Sequence, residues 1–149
     1  MKEAQIETNL RAPLVLAQSF AAQASREPED DPLVVNILDQ RVLRPNPQFF
    51  TYTLTKSALW TATRTLAQAL APGIRVNSIG PGPTLASVHQ DETAFLAEAA
   101  GVPLERVVRT ADLCAALLYL IDARAVTGQM IAVDSGQHLG WRTPDIIDA

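Results

Sequence analysis

Cysteine is almost absent from the 149 residues: Cys114 stands alone, so no intrachain disulfide can form, and a reducing compartment is the expected setting. Histidine is nearly as scarce. His89 and His138 lie far apart and show no metal-ligand spacing, so no metal site is expected. Basic residues are outnumbered, 12 Lys and Arg against 16 Asp and Glu, giving a net charge of −4. That balance argues against a nucleic-acid or membrane-surface partner, because both require a basic patch. No apolar run reaches the ~18 residues of a membrane span. The stretch Met1–Leu10 is polar and lacks the apolar core of a signal peptide. Repeats and low-complexity tracts are missing, and so is any Gly-x-Gly-x-x-Gly turn of the kind that cradles a dinucleotide pyrophosphate. The expectation is a soluble cytoplasmic domain.

What is present is an alternating pattern. Three short apolar, β-branched runs read as buried strands: Leu33–Leu38, Ile74–Ile79 and Met130–Val133. Helical spacing covers Ala4–Ser25, Tyr52–Ala71, Glu92–Ala100 and Ala111–Asp122. Pro72-Gly73 stops the second of these. Thr110 is placed as the N-cap of the last, with Asp112 in its first turn and Leu113, Leu117, Leu120 and Ile121 facing the core. Arg26–Pro32 reads as a charged surface loop, Pro81–Gln90 as irregular, and 143–149 as a tail. Helices alternating with strands give βαβ units, hence an α/β fold with a parallel sheet.

Tyr52 and Lys56 open the second helix at i and i+4, on one face. An ammonium beside a phenol lowers the phenol's pKa from about 10, which suits a proton donor. By itself the pair describes a solvated helix start better than a catalytic one. Pro13 offers a second clue. It has no N–H, so the carbonyl of Asn9, four residues earlier, loses its helical partner and is free to bind a water; equally, Pro13 simply kinks the helix or sits in its first turn.

The context of the pair is more specific. It comprises Asn9-Leu10, Val35-Asn36-Ile37-Leu38-Asp39, Tyr52-Thr-Leu-Thr-Lys56, Ile74-Arg75-Val76-Asn77, Pro81-Gly82-Pro83-Thr84, Val126-Thr127-Gly128-Gln129 and Asp134-Ser135-Gly136. This ordered set resembles the short-chain dehydrogenase/reductase family over essentially the whole chain. The resemblance implies the C-terminal part of a doubly wound, Rossmann-type parallel sheet. It implies that Tyr52 is the general acid or base and that Lys56 lowers its pKa and bonds the nicotinamide ribose. Asn9 would hold a relay water, and Pro81, Gly82, Pro83 and Thr84 would contact the nicotinamide. Asp39 departs from the serine most members carry at that position. It resembles the pteridine reductase and dihydromonapterin reductase branch, which implies a pterin-like small-molecule substrate and favours NADP(H) over NAD(H). Phe49 and Phe50 are candidates for stacking on a pterin, or equally for packing. The helices at 4–25 and 52–71, with Trp60, would build a homodimer or homotetramer, and Cys114 reads as a small buried hydrophobe.

The family's N-terminal nucleotide-binding βα units, about four of them, have no counterpart here. The chain therefore reads as a partial domain over 1–149 that holds the catalytic half, belongs to a longer parent, and is inactive alone. A ketone or alcohol oxidoreductase of the same family is the alternative. A non-catalytic, oligomerising half-domain is the alternative of another class.

Overall fold

The structure, a computed structural model, describes residues 3–25, 27, 29–85 and 91–141. His89 and the expected tail at 143–149 lie outside the described residues. The first helical stretch is α1 (Glu3–Ile6), a wide π turn (Glu7–Arg11) and α2 (Ala12–Gln23). Pro13 explains the wide turn. Its ring would collide with the Asn9 carbonyl and it has no N–H to offer, so the helix widens before it. The Ala12 N–H accordingly bonds the Glu7 carbonyl, five residues back.

There follow β1 (Leu33–Ile37), a 3-10 turn (Gln40–Val42), α3 (Phe50–Leu70), β2 (Arg75–Pro81), α4 (Glu92–Ala100), α5 (Thr110–Asp122), β3 (Met130–Val133) and a 3-10 turn (Gln137–Leu139). The strands form one parallel sheet in the order β1-β2-β3. Central β2 is buried from Arg75 to Gly80, and Val76, Ile79, Leu59 and Leu120 make the densest part of the core. Each such side chain contributes roughly 1.5–3 kcal/mol by leaving water. Among the described residues, the other edge of β1 has no strand paired to it.

Polar residues on the strands tie helices to both faces. Asn36 donates to Thr63 of α3 over 2.9 Å. Residues of opposite parity on β2 point the other way. There the Arg75 guanidinium donates to the Leu120, Ile121 and Ala123 carbonyls at the end of α5, and forms two bonds of 2.9 and 2.8 Å with Asp31. A cation suits that helix end, where free carbonyls concentrate negative charge. Asn77 donates to the Val126 carbonyl and accepts from the Gln129 N–H, at 2.7 and 3.0 Å. The Arg-Val-Asn and Val-Thr-Gly-Gln motifs are thus two sides of one structural staple.

Several expectations are corrected. Thr110 is the first helical residue of α5 rather than its cap. Arg109 takes the cap position because its N–H is satisfied by the Asp112 carboxylate at 2.9 Å. Of the four α5 residues expected in the core, only Leu120 is buried. Leu117 and Ile121 are 38% and 48% exposed, because no described element covers that side of the helix. Cys114 is exposed for the same reason.

Candidate active site at the C-terminal edge of the sheet

The parallel register sets Ile37 of β1 beside Ile79 of β2, so the segments leaving the two strands emerge at one edge. Asp39 leaves β1 and Pro81–Thr84 leave β2 at that edge. In open α/β sheets this is where ligands bind.

Asp39 is held in an extended conformation and uses both carboxylate oxygens. Oδ1 accepts the Arg41 N–H at 2.7 Å, capping the Gln40–Val42 turn. Oδ2 accepts the Tyr52 hydroxyl at 2.9 Å. Tyr52 reaches it from the first turn of α3, which begins after Phe49 in the left-handed region, at φ 56°. A bulky aromatic there is strained.

One turn further, the Lys56 ammonium donates to the Ile37 carbonyl at 2.9 Å and lies 5.7 Å from the Tyr52 ring centre. The expectation that Lys56 lowers the Tyr52 pKa is corrected. Burial, then the charge and hydrogen bond of Asp39, push the phenol above its ordinary range, and Arg41 is the cation that opposes them. The physical reason is competition: the strand-end carbonyl takes the ammonium, while the carboxylate takes the hydroxyl. Burial also pulls the Lys56 ammonium down, opposed by Asp39.

Asn9 lies in the π turn and lines, with Thr8, Pro13, Ile37 and Lys56, a cavity of about 430 Å³. The structure therefore brings Asn9 and Lys56 to one cavity, as the resemblance implies, without a direct bond between them. The Pro81–Thr84 segment is anchored on both sides. The Gly82 N–H bonds the Val133 carbonyl and the Pro83 carbonyl accepts from Val108, both at 3.0 Å. The Thr84 hydroxyl folds back onto the Gly82 carbonyl at 3.0 Å. Gly82 is needed for a close approach, since a Cβ there would sit 2.6 Å from the Asp134 Cα.

Residues with no assigned role at the site, and others the sequence names only in passing, complete the surroundings. Buried Asp134 accepts the Gly136 and His138 N–H groups at 3.0 and 2.8 Å, and lies 2.7 Å from His138 Nδ1. Their four-residue spacing was the available signal. Arg41 stacks its guanidinium 5.3 Å from the Phe49 ring centre. Gln40 Oε1, Arg41 Nε and Thr53 Oγ1 are buried without hydrogen-bond partners. All three belong to the stretch that carries Asp39 and Tyr52. Phe49 and Phe50 are both exposed. Among the described residues no group of three or more His, Cys, Asp or Glu is placed to hold a metal, and no helix is long and apolar enough to cross a membrane.

Residues 2–138 match the family model described as enoyl-(acyl carrier protein) reductase. The chain belongs to the short-chain dehydrogenase/reductase family. Among curated members, carbonyl reductase family member 4 of Danio rerio is 37% identical, over 71% of this chain and 45% of its own length. Dihydromonapterin reductase of Klebsiella pneumoniae is 29% identical, over 90% of this chain and 56% of its own length. The crystal structure of FolM alternative dihydrofolate reductase 1 from Brucella suis in complex with NADP superposes with a TM-score of 0.92. It is 50% identical, over 97% of this chain and 58% of that one. The chain thus spans about half the length of the family members it matches.

Proposed function

We propose that this chain carries the catalytic half of an NADP(H)-dependent reductase acting on a pterin-like substrate. The observation that carries the reading is the Tyr52–Asp39 hydrogen bond at the C-terminal edge of the sheet. A phenol held as a neutral donor beside a carboxylate suits a heterocycle that both takes a proton and offers N–H groups. An ionised Asp39 accepts but cannot donate, so it would receive pterin N–H groups, and Tyr52 would deliver the proton once substrate replaces it on the carboxylate. The half-identical FolM relative and the dihydromonapterin reductase similarity support this substrate class.

The residues present fit the nicotinamide end of the cofactor. Lys56 uses one of its three ammonium protons on Ile37, which leaves donors for ribose hydroxyls. Pro81, Gly82, Pro83 and Thr84 stand beside Asp39 at the strand ends, and Asn9 would hold a relay water in the cavity it shares with Lys56. When bound, the reduced nicotinamide supplies the hydride. A homodimer or homotetramer through the helices at 4–25 and 52–71 goes with this reading, supported by the exposed Val15, Leu16, Phe20 and Leu54. A cytoplasmic setting goes with it too, supported by the single free cysteine. A ketone or alcohol substrate is the second reading, favoured by the carbonyl reductase relative.

The test is NADPH oxidation with a dihydropterin and with small ketones, run on this chain and on the longest polypeptide that contains it. NADPH titration by fluorescence accompanies each assay. Turnover of the dihydropterin that Tyr52→Phe abolishes supports the reading, and turnover confined to ketones overturns it in favour of the second.

A further inference from the structure

Three polar ties join α3 to β1 and the segment that leaves it, and they run in opposite directions along the two. Asn36, Ile37 and Asp39, in order along the strand, meet Thr63, Lys56 and Tyr52, in order down the helix toward its first turn. The backbone of α3 packs closest to β2 and the π turn rather than to β1, so side chains carry its register against β1. Two of the three ties end on working groups. The Tyr52–Asp39 bond gives way to substrate in the proposed enzyme, and the Lys56 ammonium divides its protons between Ile37 and the cofactor. The Asn36–Thr63 bond has no part in binding or chemistry. It is also the most deeply placed, with Thr63 0% and Asn36 6% exposed. Thr63 stands in a buried stripe between Leu59 and Ala67, where valine would fill the same space without a hydroxyl. That hydroxyl has one proton and gives it to the Leu59 carbonyl at 2.8 Å. It can therefore only accept from Asn36, at 2.9 Å, which fixes the end of the amide that faces the helix. One hydroxyl thus ties the strand to the helix backbone. Buried polar pairs fix register well, because a slip leaves both partners unpaired, whereas apolar side chains tolerate several packings.

We propose that Asn36 and Thr63 are positioning residues: their bond fixes α3 along β1 and so holds Tyr52 and Lys56 opposite Asp39 and Ile37 while the outer ties exchange partners. The proposal rests on the reading of Tyr52 and Lys56 as the working pair. Lys56 and Tyr52 precede Thr63 by about two and three helical turns, so all three side chains share one face. A helix is stiff over that length, and a slide at the anchor reaches the first turn undiminished.

The test reads the placement of both groups by NMR and needs neither cofactor nor turnover. The chain has two tyrosines, Tyr52 and Tyr119, and two lysines, Lys2 and Lys56. Tyrosine 13Cζ and lysine 13Cε labels therefore give one site signal and one control signal each. Spectra at neutral pH are compared for the unaltered chain, Thr63→Val, Thr63→Ser and the double variant Asn36→Leu with Thr63→Val. The double variant removes both polar partners together, so neither is left unpaired and the fold is retained. The expected result is displaced or split Tyr52 and Lys56 signals in Thr63→Val and in the double variant. Thr63→Ser, which keeps the hydroxyl, leaves them in place, and Tyr119 and Lys2 stay unmoved throughout. In the longest polypeptide that contains the chain, kcat of the double variant falls on the order of 100-fold with KM little changed, as a misplacement of about 1 Å produces. Site signals that stay in place in both Thr63→Val and the double variant, whatever their urea-unfolding midpoints, would overturn the proposal and make the pair a core contact alone. Displaced signals with an unaltered kcat would overturn it as well. Displaced signals in a protein that reduces neither a dihydropterin nor a ketone would leave the positioning role standing and count against the reductase reading alone.

Discussion

The Tyr52 hydroxyl donates to the Asp39 carboxylate over 2.9 Å, joining the first turn of α3 to the end of β1 across thirteen residues of sequence. Burial and the facing carboxylate both favour the neutral phenol. A spectrophotometric titration of the chain is therefore expected to show a tyrosine that ionises well above the ordinary phenol range near 10. Tyr52→Phe removes that late step, and Asp39→Asn brings it downward because one negative charge and its hydrogen bond are gone. A late step that survives Tyr52→Phe would show that the carboxylate does not govern this phenol.

Substrate choice is expected to follow the same carboxylate. Asp39→Ser replaces a charged, acceptor-only group with a neutral hydroxyl that both donates and accepts. In the proposed reductase, kcat/KM for a dihydropterin should fall roughly 10–100-fold, the worth of one hydrogen bond to a charged group. Ketone reduction should fall less or rise. Equal losses on both substrates would remove the reason for preferring a pterin.

Much of this arrangement can be read from the residues, and the remainder has identifiable physical causes. The Glu92–Ala100 helix has the bounds its spacing predicts, and the apolar run at 33–38 is β1 less its last residue. Pro13 announces the π turn that presents Asn9, because a missing N–H is a covalent fact. Lys56 is different. Its i+4 spacing from Tyr52 shows that they share a face, but the choice of the Ile37 carbonyl over the phenol is made by a strand end nineteen residues away in sequence. The left-handed Phe49 carries no local signature either, since nothing in an aromatic side chain favours positive φ. Periodicity also finds the apolar face of α5 without saying what covers it, and Leu117 and Ile121, with the neighbouring Cys114, stand exposed on it.

The Asp31–Arg75 pair makes a prediction about pH. Asp31 sits at φ 40°, a conformation asparagine tolerates, so Asp31→Asn removes charge with little backbone penalty. The hydrogen bonds from Arg75 hold the Asp31 carboxyl below its usual range. A carboxyl depressed in the folded state stabilises fully above its unfolded pKa of about 4, and the gain is lost as pH falls through the lower folded value. Asp31→Asn should cost on the order of 1 kcal/mol at neutral pH, measured by urea unfolding, because solvent near the carboxylate screens the pair. The gap between the two proteins should close toward acid. A gap that is constant from neutral pH down to pH 2 would mean that shape, not charge, is what the asparagine loses.

Gly82 links the two loops at the sheet edge through a contact that leaves no space for a side chain. A Cβ would lie 2.6 Å from the Asp134 Cα and 2.8 Å from its Cβ, so the strain falls on backbone that cannot swing aside. Asp134 in turn fixes the Gly136 and His138 N–H groups, so displacing it loosens the turn after β3. Gly82→Ala is expected to destabilise the protein by about 1–3 kcal/mol, as overpacking does. It should also weaken nicotinamide-cofactor binding in the proposed enzyme, because the Pro81–Thr84 segment moves with it. Gly73 is the natural control. Its nearest neighbour to an added Cβ is the Leu70 carbonyl at 3.7 Å, an ordinary contact, so Gly73→Ala should leave binding unchanged. Equal stability and binding in the two alanine variants would show that the 82–134 approach places no constraint on the site.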